Sequence, residues 1–303
     1  MADVTSCQTA VREIPWGEEV ARLTVSVEEA ADHMMTDVAT AHAQAVADRY
    51  TATFGYYTDC VGVEFKGDEN ALPGGTRTVQ LQLSTQTTNR ITEACRKLGV
   101  SVTSAVHASV ASANYILAAP EKSTAHFAST MRFNLRPYLP QRFQEQGMAS
   151  GLYTTGFASK VPASQSWEQN AREFNGEYKR GVPPELLKSY RQYAINMCNA
   201  VKLMPKNLPI IRQETNVDVG PFGVADKFLK ALHGSPERGI EVENATVAVE
   251  VASPQMEVFL WTFRGRLNLY IVYNESFYVE EEASKFVETV KSVLLEKLCI
   301  DEE

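Results

Sequence analysis

The stretch "MEVFLWTFRGRLNLYIVYN", residues 256–274, carries the clearest structural signal in the chain. Two apolar runs rich in β-branched and aromatic residues flank "RGR", residues 264–266, and this composition predicts two strands that a tight reversal joins as a hairpin. In the first run Phe259, Trp261 and Phe263 alternate with other apolar residues, so both faces of the strand are apolar. The pattern predicts core on one side and either core or an apolar ligand pocket on the other.

The patterns around this hairpin predict further strands and helices. Downstream, "EEEASKFVETVKSVLLEKLC", residues 280–299, predicts a helix that packs on the sheet, and upstream "ATVAVEVA", residues 245–252, predicts another strand. The remaining patterns predict helices over 26–50, 85–99, 101–119, 167–179 and 184–202 and strands over 77–84 and 126–135. Strands and helices do not alternate regularly, which favours an α+β, two-layer sandwich-like fold with a mixed sheet and flanking helices.

Composition and charge limit the function classes. The chain has 303 residues, 44 % of them hydrophobic, enough for a sizeable core, and a formal net charge of −8 without a basic cluster, which argues against a nucleic-acid partner. No stretch reaches the roughly 18 to 20 apolar residues of a membrane span, and the first residues lack a signal-peptide layout. The five cysteines are scattered, and metal-ligand spacings are absent. We therefore expect a cytoplasmic protein without a bound metal or other bound cofactor.

Several pieces in sequence order resemble the chloramphenicol-acetyltransferase-like superfamily, which includes acyl-CoA-dependent acyltransferases and condensation domains. The most similar members are fungal acetyltransferase-like proteins of secondary metabolism. The matching pieces are "VQLQLSTQTTNRITEACRKLGVSVTSAVHASVASA", "STMRFNLRPYL", "TNVDVGPFGVAD" and "VFLWTFRGRLNLYIVYNESFY". They resemble the second half of such an enzyme, which implies an N-terminal linker with a helix over residues 1–76 and an acyltransferase-like C-terminal lobe over 77–303.

The resemblance implies a catalytic motif that this sequence does not reproduce. Family members carry His-His-x-x-x-Asp-Gly, whose second His takes the proton from an acceptor hydroxyl as it attacks an acyl thioester. Here His33 and Asp37 have the right separation, but Asp32 and Val38 replace the flanking His and Gly, and the segment is predicted to be helical. On a helix, residues at this spacing are neighbours on one face, so a surface pair is the favoured interpretation.

The other catalytic candidate is His107. It lies among small residues of a predicted helix, where a packed and hydrogen-bonded role is favoured over catalysis. The catalytic residues are therefore unknown, with His33 and His107 as the candidates to test.

Two segments supply candidate substrate-binding residues. Arg132 and Asn134 lie on the polar face of a predicted strand, where an ion pair is favoured over substrate binding for Arg132. In "NVDVGPFG", residues 216–223, the resemblance implies a structural salt bridge to an arginine for Asp218 and a tunnel wall for Gly220 and Phe222, whereas turn chemistry alone implies only a turn. Trp261, on the first apolar strand of the predicted hairpin, is the last candidate substrate-binding residue.

Three hypotheses of function stay open. The first is an O-acyltransferase-like protein of fungal terpenoid or polyketide biosynthesis, using acyl-CoA as co-substrate and an apolar small molecule as acceptor. The second is a cyclase or isomerase on the same fold, for example of Diels-Alder type, which needs positioning more than a general base. The third is a non-catalytic lobe that self-associates or needs a partner lobe to cover an apolar interface.

Overall fold

A mixed β-sheet and a separate pair of strands form the framework of the chain. The structure is a computed structural model that describes residues 23–32, 37–64, 71–119, 121, 124–144, 151–203, 215–235 and 238–301. The strands within those residues are β1 (Thr76–Gln82), β2 (Phe127–Asn134), β3 (Thr154–Val161), β4 (Val217–Val224), β5 (Leu232–Ser235), β6 (Arg238–Glu241), β7 (Met256–Phe263) and β8 (Arg266–Asn274). The helices there are α1 (Val27–Ala30), α2 (Asp37–Ala52), α3 (Thr85–Leu98), α4 (Val102–Leu117), α5 (Trp167–Arg180), α6 (Pro184–Lys188), α7 (Tyr190–Leu203) and α8 (Glu280–Lys297).

The main sheet has the strand order β1-β8-β7-β4. β8 pairs antiparallel with β1 and β7, whereas β4 runs parallel to β7, so the sheet is mixed. β2 and β3 form their own antiparallel pair, and β5 and β6 form a small hairpin. The predicted α+β fold with a mixed sheet and flanking helices is confirmed.

The predicted hairpin over residues 256–274 is present as β7 and β8. Its two turn residues, Arg264 and Gly265, have φ angles of 52° and 72°. Left-handed backbone at both positions matches the right-handed twist of the flanking strands, which is why two-residue hairpins favour such turns. At this turn the backbone N–H of Arg264 donates a hydrogen bond to the Asp226 carboxylate at 3.1 Å.

One face of the sheet is covered by helices. α8 packs against β1, β8 and α4, and α4 also packs against α5. The predicted ends of α3 are confirmed, since Ser84 accepts a hydrogen bond from the Thr87 N–H and Gly99 closes the helix at φ 72°. The main core thus lies between the sheet and these helices.

The opposite face of the hairpin is also core. Phe259, Trp261 and Phe263 cluster there with residues of the chain between β4 and β7 that fold back over the sheet. Of the two predicted environments for this face, the structure has core over most of its area, and only Phe259 also reaches a cavity.

Three sequence predictions differ from the structure. Residues 245–252 form no strand, because the backbone of Val251 bonds to side chains instead: its N–H donates to Thr76 Oγ1 and its carbonyl accepts from Asn274 Nδ2. The helix predicted over 26–50 is interrupted after α1, where Asp32 adopts a φ of 55° that an α-helix cannot continue. The helix predicted over 184–202 divides at Ser189 into α6 and α7.

Within the described ranges, no helix has both the length and the apolar composition needed to cross a bilayer. The division at residue 76 stays a prediction. In the structure α2, which precedes it, packs on α7, so the earlier segment contacts the later one.

Candidate functional site

A cavity of about 960 Å³ lies where β2, β3, β4 and α7 meet. Its size is within the roughly 300–1,000 Å³ range of small-molecule sites. Most of the wall is apolar and aromatic, and the aromatic residues that contribute to it are Phe54, Phe133, Tyr190, Tyr193, Phe222, Phe228 and Phe259. Polar groups from β2 and β3 interrupt this surface, among them Thr130, Arg132, Asn134 and Thr155. Such a wall suits an apolar molecule that carries a few polar substituents.

Side chains in the second half of β2 alternate between a buried and a more exposed side of the strand. Met131 is fully buried and Phe133 nearly so, whereas Arg132 and Asn134 point to the other side and are more exposed. Alternation of this kind is what a half-buried strand imposes on successive side chains. Arg132 and Asn134 both line the cavity, and Phe133 between them also contributes to its wall.

Arg132 makes ion pairs with two carboxylates. Its Nη2 donates to Asp218 Oδ2 at 3.0 Å, and its two terminal nitrogens donate to the two Glu257 oxygens at 2.7 and 3.0 Å. Nη1 also donates to the Val219 carbonyl at 2.9 Å. The planar guanidinium is suited to this forked arrangement, because it presents several donors in fixed directions. These three partners leave little of its donor capacity for a ligand.

Asp218 is the buried centre of this network. Its side chain is 2 % exposed. Besides Arg132, it accepts hydrogen bonds from Ser129 Oγ at 2.6 Å, the Thr130 N–H at 2.8 Å and the Tyr57 hydroxyl at 3.2 Å. A buried carboxylate is stable only with such partners, and here β2 supplies most of them.

One guanidinium faces two carboxyl groups in this network, so their negative charges are not fully balanced. Burial raises the pKa of Glu257 to about 8, the nearby Asp218 carboxylate adds to the shift, and Arg132 opposes it. Burial acts to lower the pKa of Arg132, but Asp218 and Glu257 more than offset this and raise it. Burial and Asp218 together raise the pKa of the Tyr57 hydroxyl, which therefore stays protonated as a donor.

The structure brings most of the predicted binding residues together. Arg132, Asn134, Gly220 and Phe222 line the cavity, and Asp218 lies directly behind them. A substrate-binding role for these residues stays a prediction.

Trp261 is placed elsewhere. It packs against Tyr270 with ring centroids 5.8 Å apart in the cluster on the other face of the hairpin, and it is not part of the cavity wall. The sequence could not separate these positions, because Phe259 and Trp261 share one face of β7 and only Phe259 lines the cavity.

His107, the second catalytic candidate, is fully buried in α4. Its ring stacks on Phe174 with centroids 3.8 Å apart, and Nδ1 lies 3.1 Å from the Tyr178 hydroxyl. Burial lowers its pKa to about 3. These features agree with the packed, hydrogen-bonded role that the sequence favours.

The remaining histidines do not supply an evident base either. His33 lies outside the described residues. Of the histidines that the structure describes, none lines the cavity. His42 is exposed on α2, and His126 contacts the Tyr56 carbonyl through Nε2.

Sequence reasoning missed Glu257 and the contribution of α7. A single carboxylate inside the apolar run "MEVFLW" needs a cation, and the equally unusual Arg132 could have been matched with it. No comparable signal marks Tyr193 or Ala194, which reach the cavity only through the packing of α7.

The comparisons with known proteins show what the chain is similar to. It is 38 % identical over 292 residues to "Acetyltransferase pigO" of Monascus ruber, covering 96 % of this chain and 62 % of that protein. It is 26 % identical over 241 residues to "Azaphilone biosynthesis cluster protein M" of Aspergillus terreus, covering 79 % of this chain and 58 % of that protein. The chain therefore spans about three-fifths of the length of these relatives. No family model matches the sequence.

A solved structure identifies the fold. The TRI3 trichothecene 15-O-acetyltransferase of Fusarium sporotrichioides superposes with a TM-score of 0.73 at 18 % identity, covering 94 % of this chain and 58 % of that one. The chain has the chloramphenicol-acetyltransferase-like fold. This confirms the fold that the quoted sequence pieces implied. The parallel placement of β4 beside the hairpin was predicted by no local pattern.

Proposed function

We propose that the chain takes part in the acyl-CoA-dependent O-acylation of an apolar, hydroxylated small molecule in a fungal biosynthetic pathway, with the cavity as the acceptor site. The observation that carries the proposal is the aromatic cavity beside the Arg132–Asp218–Glu257 network, in a chain 38 % identical to an acetyltransferase. Acyl-CoA enters the proposal as co-substrate.

The described residues have a definite part in this reaction. The aromatic wall excludes water from an apolar acceptor, which strengthens the polar interactions inside the site. The Arg132–Asp218–Glu257 network fixes β2 and β4, and with them the polar side chains of Thr130 and Asn134 that face the acceptor. The proton of the attacking hydroxyl must go to a base. The sequence offers His33 and His107 for it, and of these His107 is buried and does not line the cavity.

Acyl transfer tests the proposal. Purified protein is incubated with acetyl-CoA and hydroxylated intermediates from a strain lacking the gene, and products are followed by mass spectrometry together with release of free CoA. A product heavier by one acetyl group is the expected result. Absence of transfer to every acceptor contradicts the proposal. The variant His33→Ala then asks whether that histidine is needed.

The second candidate is a cyclase or isomerase, and one observation favours it: the cavity is aromatic, and none of the described histidines reaches it. Holding a flexible substrate in a reactive conformation accelerates a ring closure without proton transfer. The same incubation without acetyl-CoA distinguishes the two, because a cyclised product has unchanged mass and a different retention time.

A further inference from the structure

A second cleft lies beside the candidate site, on the far part of β3. It has a volume of about 410 Å³ and lies between the end of α2, residues 53–57, the second half of β3 and the end of α5. Thr154, Thr155 and Gly156 of β3 contribute to the wall of the first cavity, whereas Phe157 to Lys160 contribute to the wall of the second cleft. One strand therefore connects the two sites.

The second cleft is cationic on a protein whose net charge is −8. Arg49, Lys160 and Arg180 line it together with Glu177. Arg49 is paired with Glu185, and Arg180 with Glu177 at 2.5 Å, but both guanidinium groups are more than half exposed and retain donors. Unlike them, Lys160 has no carboxylate of the described residues within ion-pair distance.

Aromatic side chains stand among these cations. Lys160 Nζ lies 4.4 Å from the centre of the Tyr56 ring, and the Arg49 guanidinium lies 5.0 Å from the Tyr50 ring. Phe157 contacts Tyr50 at a centroid distance of 5.3 Å. The Thr53 hydroxyl accepts from the Ala158 N–H at 3.0 Å and holds this corner to β3.

Cations and ring faces in one cleft match a ligand that carries both phosphate and a flat heterocycle. Phosphate oxygens accept from guanidinium and ammonium groups, and a base stacks on aromatic surfaces. We propose that the second cleft binds the phosphorylated nucleotide portion of a ligand, with Lys160 as the principal phosphate contact. If the proposed function holds, that ligand is the CoA donor, whose thioester arm follows β3 toward the first cavity.

The spacing along β3 fits this assignment. Lys160 and Thr154 are six positions apart on β3, which in a strand is roughly 20 Å. A nucleotide held at one end by Lys160 would thus need an extended arm to reach the acceptor at the other end, and the pantetheine arm of CoA is such a group.

Calorimetric titration tests the cleft without requiring catalysis. The probe is adenosine 3′,5′-bisphosphate, titrated into the wild-type chain and the variants Lys160→Glu, Tyr56→Leu and Lys97→Glu. Lys97 is an exposed lysine outside the cleft, so its variant has the same change in net charge as Lys160→Glu. Thermal melting shows that each variant is folded.

We expect binding to the wild type, about tenfold weaker binding for Lys160→Glu, weaker binding for Tyr56→Leu and unchanged binding for Lys97→Glu. No binding to the wild type, or equal losses in the two charge variants, overturns the proposal. CoA is then titrated in the same way. If CoA binds and its binding is weakened by Lys160→Glu to the same extent, the cleft is assigned to the CoA donor. If only the bisphosphate binds, the cleft is assigned to a free nucleotide. Acetyl transfer that is indifferent to Lys160→Glu overturns the donor assignment and leaves the proposed acylation standing.

Discussion

The guanidinium of Arg132 and the carboxylate of Asp218 join two strands that share no backbone ladder in the described part of the chain. Arg132 belongs to β2, which pairs with β3, and Asp218 belongs to β4, which pairs with β7. Arg132 contacts Asp218 at 3.0 Å, and the Thr130 N–H donates to the same carboxylate. These side-chain contacts connect the two strands beside the cavity. The shape of the candidate site depends on this connection.

Removing the guanidinium should destabilise the fold strongly. Arg132→Ala leaves Asp218 and Glu257 buried without a cation, and breaking a buried pair in this way costs about 3 kcal/mol or more. Urea unfolding monitored by circular dichroism measures the loss. Arg77→Ala is the matched control, because its ion pair with Glu275 is exposed and is worth at most about 1 kcal/mol. Equal losses in the two variants would contradict the structural role of Arg132.

Stability should depend on pH through Glu257. Its pKa is raised from 4.5 to about 8 by burial and by Asp218, so the folded state holds this proton more tightly than the unfolded state does. Its contribution to stability is therefore fully present below pH 4.5 and is lost as the pH rises through about 8.

The variant Glu257→Gln isolates this effect. We expect the difference in unfolding free energy between the wild type and Glu257→Gln to change across this pH window, measured by urea unfolding at several pH values. The exposed Glu93→Gln serves as control. A difference that is flat with pH would mean that Glu257 titrates normally in the folded chain.

His107 should sensitise the protein to acid and not act in catalysis. Burial lowers its pKa from 6.5 to about 3, so the stability linked to the neutral ring is present above pH 6.5 and is lost as the pH falls toward 3. His107→Gln should reduce this acid loss while costing about 1–3 kcal/mol at neutral pH. Denaturation curves at several pH values measure both effects. Loss of acetyl transfer in a folded His107→Gln protein would reinstate this histidine as a catalytic candidate.

Two glycines should respond to alanine in opposite directions. A Cβ at Gly220 would meet the Phe259 ring at the cavity wall, so Gly220→Ala should displace that ring and cost about 1–3 kcal/mol. A Cβ at Gly176, inside α5, meets nothing within 4 Å, so Gly176→Ala should stabilise by about 0.5–1 kcal/mol. Thermal melts of both variants check the signs. Stabilisation by Gly220→Ala would show that the wall at β4 is looser than described.

The sequence predicted the parts of the fold whose signals are local. The β7–β8 hairpin and the ends of α3 depend on turn and cap residues within a few positions, and both were found where expected. β3 was not predicted, because "TTGFASKV" lacks strong apolar alternation and is a strand through its pairing with β2. Residues 245–252 show the opposite error, since these alternating residues form no strand and the Val251 backbone bonds to the side chains of Thr76 and Asn274 instead.

The candidate site was predicted only in part, for a similar reason. The polar face of β2 and the sequence around Asp218 were recognisable, since charges in apolar surroundings require partners. The second carboxylate on β7, the wall formed by α7 and the separation of Trp261 from the cavity follow from tertiary packing. Such contacts join residues far apart in the chain and leave no local pattern.

Acetyl transfer with the cavity filled by a large side chain tests the assignment of the acceptor site. Ala194 on α7 lines the cavity, whereas Ala200 on the same helix is exposed and does not, so Ala194→Trp and Ala200→Trp form a matched pair. We predict that the wild type and Ala200→Trp convert acetyl-CoA and a hydroxylated acceptor to an acetylated product, and that Ala194→Trp, folded by its melting curve, does not. Equal product from both variants, or none from the wild type, would contradict the assignment of this cavity as the acceptor site of an O-acyltransferase.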